Sequence, residues 1–593
     1  MTPLLHIDNL TVDFLSEAGN SRAVNGVSLQ VSRGEIVALV GESGSGKSVT
    51  SLSILNLLPQ PPAQYATGQI LFTETGQPAV DLLRLHPEAL RQIRGARIAM
   101  IFQEPMTSLN PVLTCGRQVV EALQVHQTLS KEAAKQQTIR WFEKVKLPEP
   151  EQLFYRYPHQ LSGGQKQRVM IALAMCCEPS LLICDEPTTA LDVTVQRTIL
   201  ELIKELQREQ GMGVLFITHD LGVVAEIADR VVLLYRGEIV EEGPVQAIFG
   251  SPQHPYTKAL ISCRPAMHPK GAPLPTVSDY LEREPSAVSP PLSAISHQPS
   301  EGGSGLGTVD HPDPILPNGE AKQPAQSREA LVTVENLSVV FPGKTTLFGK
   351  PKTFFTAVDD VSFSVYQNET LGLVGESGCG KTTVGRTLLR LLNPTAGRIL
   401  YNGNDITQLS KQQLAGLRKE VQLIFQDPYS SLNPRLTIGD AIAEPMLVGG
   451  TEPSARERRK KVASLLEKVS LSPTLMNRYP HEFSGGQRQR IVIARALSLN
   501  PQFVVCDESV SALDVSVQAQ VLNLLNDLKR ELGLTLLFIS HDLSVVRYMC
   551  DRMLVMQAGK IVESGDAEDV YRHPKNPYTQ NLLAAVPKIK AND

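Results

Sequence analysis

Residues 41–48 read GESGSGKS, and residues 375–382 read GESGCGKT. Each follows a short apolar run, EIVALV or TLGLV, and leads into a helix-compatible stretch. Glycines at this spacing let a backbone curl around phosphate oxygens and offer N–H groups that a side chain would obstruct. The helix that follows adds the positive end of its dipole, about half a charge. On this reading Gly41, Glu42, Ser43, Gly44, Ser45 and Gly46 cradle the phosphates of one nucleotide. Gly375, Glu376, Ser377, Gly378, Cys379 and Gly380 cradle those of a second. Lys47 and Lys381 reach the β and γ phosphates, and the Ser48 and Thr382 hydroxyls ligate magnesium.

The repeat extends along the whole chain. SGGQ recurs at Ser162 and Ser484, CDE at Cys184 and Cys506, HDL at His219 and His541, and PYT at Pro255 and Pro577, each pair 322 positions apart. The phosphate loops are 334 apart, so the first half carries extra residues after its loop. ETGQPAVDLLRLHPEAL (Glu74 to Leu90) is the candidate insertion and reads as a surface excursion. Residues 265–329 lie between the halves and are rich in proline, with SEGGSGLG among them. A segment of that composition buries too little apolar surface to offset its ordering entropy, so a flexible linker is expected. The predicted domains are therefore 1–264 and 330–593.

Within each half, apolar runs of four to six residues alternate with helical sequence such as VQRTILELIKELQREQ. Buried parallel strands with crossover helices fit this pattern, giving an α/β core with a helical insertion. The runs LLICDE and FVVCDE end in carboxylates. Asp185 and Asp507 are placed to reach magnesium directly or through water, and Glu186 and Glu508 to polarise an attacking water. The plainer alternative for these pairs is capping of the next helix. His219 and His541 end the strands FITH and FISH, where they would orient water or phosphate. Gln103 and Gln426 end another pair of strands, and their amides suit either magnesium and water or a simple loop hydrogen bond.

LSGGQKQR and FSGGQRQR start a further helix with Ser162, Gly163, Gly164 and Gln165, and with Ser484, Gly485, Gly486 and Gln487. That is a second anion-binding helix start in a domain whose own nucleotide needs one. One of the two elements must therefore face outward.

The formal charge of −4 gives no basic footprint for nucleic acid. No apolar run approaches the roughly 20 residues that cross a bilayer, and MTPLLHIDNL lacks the charged start of a signal peptide. The chain is expected in the cytosol, with its eight scattered cysteines reduced.

Taken together, the phosphate loop, LSGGQ, the CDE strand end, ALD and the following histidine resemble the ATP-binding cassette ATPases over both halves. The resemblance implies two tandem P-loop domains, each with a mostly parallel core sheet, an antiparallel β subdomain and a helical subdomain. It also implies two ATP molecules with magnesium, sandwiched head to tail. Lys47, Ser48, Gln103, Asp185, Glu186 and His219 would face Ser484, Gly486 and Gln487. The second set, Lys381, Thr382, Gln426, Asp507, Glu508 and His541, would face Ser162, Gly164 and Gln165. Phe14 and Phe341 stand where the family often stacks adenine, or they are core residues.

YPHQLSGG and YPHEFSGG, QEPMTSLNP and QDPYSSLNP, and the tails SPQHPYTKAL and HPKNPYTQNL resemble the ATPase subunits of peptide, nickel and glutathione importers. The partners this implies are two transmembrane permeases and a substrate-binding protein. The location it implies is peripheral, on the cytoplasmic face of the inner membrane, with one chain per transporter. Two rivals are a tandem cassette acting on ribosomes or DNA and the ATPase of an exporter. The linker, with more acidic than basic residues, and the absence of any CxxC pair argue against the first. The HPYT and NPYT tails argue against the second.

Overall fold

The computed structural model describes residues 3–16, 19–103, 108–189, 191–282, 329–343, 353–452, 454–511 and 513–587. Each half is built on a six-stranded sheet whose central strands are buried and apolar and whose antiparallel edge strand is partly exposed. In the first the order is Glu238–Pro244, Arg230–Tyr235, Ile36–Val40, Gly213–Thr218, Leu181–Asp185, Ile98–Ile101. All neighbours are parallel except the edge strand Glu238–Pro244, which pairs antiparallel with Arg230–Tyr235. The second half repeats the arrangement, with Thr370–Val374 between Thr535–Ser540 and Arg552–Gln557. Every residue of Ile36–Val40, Leu181–Asp185 and Gly213–Thr218 is buried, as expected for a sheet covered on both faces.

A second, four-stranded antiparallel sheet packs beside each core. In the first half it comprises Gly19–Val31, Leu5–Ser16, Ala63–Phe72 and Val80–Asp81. The supposed insertion at 74–90 is part of this layer. Val80–Asp81 adds its edge strand, and Leu82 and Leu90 are buried. Apolar side chains at those positions gain more by covering the sheet than by lying on the surface. The second half has the matching pieces, Asn404–Asp405 and the helix Lys411–Glu420, and the extra length is divided between the hairpin from Phe72 to Val80 and the stretch between the helix Lys47–Ile54 and Phe72.

Helices Cys115–His126, Lys131–Lys144 and Gly163–Met175 form the insertion between strands Ile98–Ile101 and Leu181–Asp185. The last of these begins at Ser162, whose Oγ accepts from the Gln165 N–H while Gln165 Oε1 accepts from the Ser162 N–H. Such a capping box stabilises a helix start by about 1 kcal/mol.

Part of the expected linker is ordered. Residues 265–282 form Pro265–Met267 and Val277–Leu281 and lie on the second half. The Asn523 side chain accepts from Leu274 N–H (2.9 Å) and donates to Leu274 C=O (2.8 Å), and the Tyr548 hydroxyl donates to Ala272 C=O. Leu274 and Val277 are buried there, so two apolar side chains and satisfied backbone groups outweigh the proline content. The remainder of the linker, 283–328, lies outside the described residues. Seven of the eight cysteines are buried, and all eight are free. Among the described residues, no helix is long and apolar enough to cross a membrane.

Candidate nucleotide sites

Both phosphate loops run from a buried central strand into a helix, Lys47–Ile54 or Lys381–Leu388. Gly46 and Gly380 sit at φ 106° and 109°, and a Cβ on either would come within 2.6 and 2.3 Å of the carbonyl oxygens of Ala23 and Ala357. Only glycine fits there. The loop is tied together from within. Lys47 Nζ donates to Gly41 C=O (2.7 Å) and Glu42 C=O (2.8 Å), and Lys381 Nζ does the same to Gly375 (2.8 Å) and Glu376 (2.9 Å). Both lysines are buried, and burial draws the Lys47 ammonium below its ordinary pKa despite the acidic groups around it.

The two strand-end carboxylates are set to different states. Burial raises Asp185 to about 6 even though the Ser48 hydroxyl donates to its Oδ1 at 3.4 Å. Burial likewise raises Asp507, whose Oδ1 accepts from Thr382 Oγ1 at 3.0 Å. Burial alone would also raise Glu186, but the His219 bond and charge, Lys47 and Thr189 outweigh it and hold Glu186 down to about 2. Its Oε2 accepts from Gln103 Nε2 (2.8 Å) and Thr189 Oγ1 (3.0 Å), and its Oε1 lies 3.2 Å from His219 Nδ1. Glu508 is held low in the same way, with Gln426 Nε2 donating at 2.8 Å and His541 Nδ1 at 3.5 Å. Both glutamates adopt left-handed backbone, φ 47° and 46°. This uncommon conformation for a non-glycine residue turns the carboxylate out of the strand toward the histidine.

The structure thus gathers Lys47, Ser48, Gln103, Asp185, Glu186 and His219 at one end of the first core sheet, and their counterparts at the end of the second. Gln103 and Gln426 donate to the glutamates, an arrangement that neither sequence alternative specified. A hydroxyl beside a carboxylate is an all-oxygen donor set of the kind magnesium takes together with phosphate oxygens and water. Phe14 and Phe341 are half-buried and pack against the apolar clusters of their own halves.

The groups that reach across are ones that the site reading omitted. Ser43 donates its N–H to Asp514 Oδ2 at 2.8 Å, and Ser377 donates its N–H to Asp192 Oδ1. Thr194 Oγ1 donates to Glu376 Oε1 at 2.5 Å. Both aspartates belong to the repeated ALD motif, so the repeat itself was the available signal. Gly164 and Gly486 pack closely within their own half: a Cβ on them would meet Val195 Cγ1 at 2.7 Å and Val517 Cγ1 at 2.2 Å. Among the described residues, no hydrogen bond joins Ser162, Gln165, Ser484 or Gln487 to the opposite phosphate loop. A cavity of about 160 Å³ lies between the halves, lined by His219, His541, Asp220, Asp542, Arg264 and Pro587 among others.

The ABC transporter family matches residues 24–189 and 358–511. The oligopeptide/dipeptide transporter C-terminal region matches 240–286 and 562–593. A glutathione import ATP-binding protein of Escherichia coli (strain K12) is 48% identical over 585 residues, covering 98% of this chain and 89% of that protein. The protein of the same name from Pectobacterium atrosepticum is 47% identical over 586 residues, with the same coverage. A solved ATP-binding cassette dimer in a post-hydrolysis state, bound to ADP and Pi, aligns at 26% identity with 40% of this chain and 98% of its own, with a TM-score of 0.36. With two matched cassettes, two matched tails and near-half identity along its length, the chain belongs to the ABC transporter family as an ATP-binding, ATP-hydrolysing subunit.

Proposed function

We propose that the chain drives the import of glutathione or a di- or oligopeptide, coupling hydrolysis of two ATP molecules to movement of two partner permeases. The observation that carries this reading is the pair of oligopeptide/dipeptide-type tails on two cassettes joined in one chain. Near-half identity to a protein named for glutathione import supports the substrate class.

In each site Lys47 or Lys381 binds the terminal phosphates, and the loop N–H groups hold the rest. Ser48 with Asp185, and Thr382 with Asp507, would hold magnesium, which would supply positive charge to stabilise the phosphates during hydrolysis. Glu186 or Glu508 accepts a proton from the attacking water, and His219 or His541 holds that carboxylate in place. Gln103 and Gln426 orient the same carboxylates. Each signature serine closes on the opposite nucleotide, Ser484 over the first site and Ser162 over the second. Catalysis is then mainly positioning and charge stabilisation.

The domains of this reading are residues 1–264 and 330–593, with the ordered strap 265–282 leading into the connecting segment. An apolar groove lined by Leu57, Phe102, Ala122 and Met170, and its counterpart at Leu391, Phe425, Pro445 and Val492, would each receive a permease helix. The chain would sit on the cytoplasmic face of the inner membrane through those permeases, one chain per transporter, with a binding protein delivering substrate. Reconstitution of the chain with its permeases and binding protein in proteoliposomes tests this. Glutathione or a dipeptide should stimulate ATPase activity and accumulate in the lumen. Turnover indifferent to every peptide-class ligand, or co-purification with ribosomes instead of permeases, would overturn the reading.

A further inference from the structure

We infer that Tyr256 and Tyr578, the tyrosines of the two PYT tails, are positioning residues for ATP binding that fix the phosphate loops by accepting a loop N–H. The Tyr256 hydroxyl accepts from the Glu42 N–H at 3.0 Å, and the Tyr578 hydroxyl accepts from the Glu376 N–H at 3.1 Å. Two copies, more than two hundred residues along the chain from the loops they touch, make the same bond. Tyr256 is fully buried, with its ring 4.4 Å from that of Tyr235, so the hydroxyl is held and not merely near.

The tails are themselves anchored in matching ways. Glu241 on the first edge strand accepts from the N–H groups of Gln253 and His254, and Glu563 on the second accepts from those of Lys575 and Asn576. The helices Pro255–Ser262 and Pro577–Ala584 are then capped by His254 and Asn576, which accept from the tyrosine N–H groups. Each tyrosine is therefore placed from both of its ends.

The residue it holds is a junction. The Glu42 C=O accepts from Ser45 N–H (3.1 Å) and from Lys47 Nζ, so its peptide orients both the curve of the loop and the phosphate-binding ammonium. The Glu376 C=O accepts from Cys379 N–H (3.2 Å) and Lys381 Nζ. The Glu376 carboxylate accepts from Thr194 of the opposite cassette, and Glu42 meets Ser516 there. One residue thus receives its own tail on its N–H and the other cassette on its side chain. A tail of this type consequently sets how firmly the loop is formed before nucleotide arrives. A buried N–H left without an acceptor destabilises the conformation that presents it.

The test uses the full chain and the variants Tyr256→Phe, Tyr578→Phe and the double variant, which keep the ring and remove only the hydroxyl. KM for ATP should rise about 5- to 10-fold in the double variant, with kcat within about twofold of the parent. A fluorescent ATP analogue should lose affinity by a similar factor. The inference rests on the ATPase reading of the same site, and the two fail differently: absence of turnover in the parent chain would remove that reading. A double Phe variant with KM and analogue affinity within twofold of the parent would reduce the tyrosines to core packing and overturn this one.

Discussion

Ser43 and Asp514 are 471 positions apart in the chain, yet the Ser43 N–H donates to the Asp514 carboxylate at 2.8 Å, and Ser377 with Asp192 repeats the contact from the other side. Each phosphate loop is thereby read by the cassette that does not contain it. Hydrogen bonds to a charged group contribute about 1.5–3 kcal/mol each. Asp192→Ala with Asp514→Ala should lower steady-state ATPase activity at least about tenfold and weaken cysteine cross-linking between the halves. Unchanged turnover in the double variant would show that the contact is incidental.

Glu186→Gln and Glu508→Gln retain shape and remove the basic oxygen pair. Together they should cut ATP turnover by roughly 10² to 10⁴ while leaving ATP binding intact, measured by phosphate release and by retained nucleotide. A double variant hydrolysing near the parent rate would remove the glutamates from the mechanism.

Gly486 is hemmed by Val517 on its own cassette. Gly486→Ala should destabilise the second cassette by about 1–3 kcal/mol through overpacking, and Val517→Ala in the same chain should restore part of it. Calorimetric melts of the single and double variants decide the point, since independent additive losses would contradict the contact.

Asn523 ties Leu274 through both backbone groups. Asn523→Ala should release the strap 265–282, seen as faster amide exchange at Leu274 and earlier proteolysis in that stretch, with a loss of about 1–2 kcal/mol. Protection equal to the parent would mean that the apolar contacts of Leu274 and Val277 hold the strap alone.

Asp551 gives a pH dependence with a definite sign. Burial would raise its carboxyl, but Lys270, the Thr370 N–H at 2.8 Å and Lys529 at 3.1 Å outweigh burial and hold it below the ordinary range. A carboxyl depressed in the folded state contributes stability above its unfolded value of about 4, and that contribution disappears as pH falls through the folded value. Asp551→Asn should therefore be less stable than the parent at pH 7, with the gap closing below about pH 4. Denaturant titrations across this range would refute the assignment if the gap stayed constant.

The sequence by itself determined the local chemistry: the phosphate loops, the strand-end Asp185 and Glu186 pairs, the histidines after them, and the doubling of all of these. Those features are short-range, because a loop that curls around phosphate and a carboxylate at the end of a buried strand are specified by a few adjacent residues. Only the tertiary structure decided which groups meet across the chain. Asp514 at Ser43, Tyr256 at Glu42, and Leu274 held by Asn523 depend on where one cassette lies against the other and where each tail returns. Proline content predicted a loose segment at 265–282, but burial of two well-placed apolar side chains is a property of the surface that receives them, and the segment's own composition does not contain it.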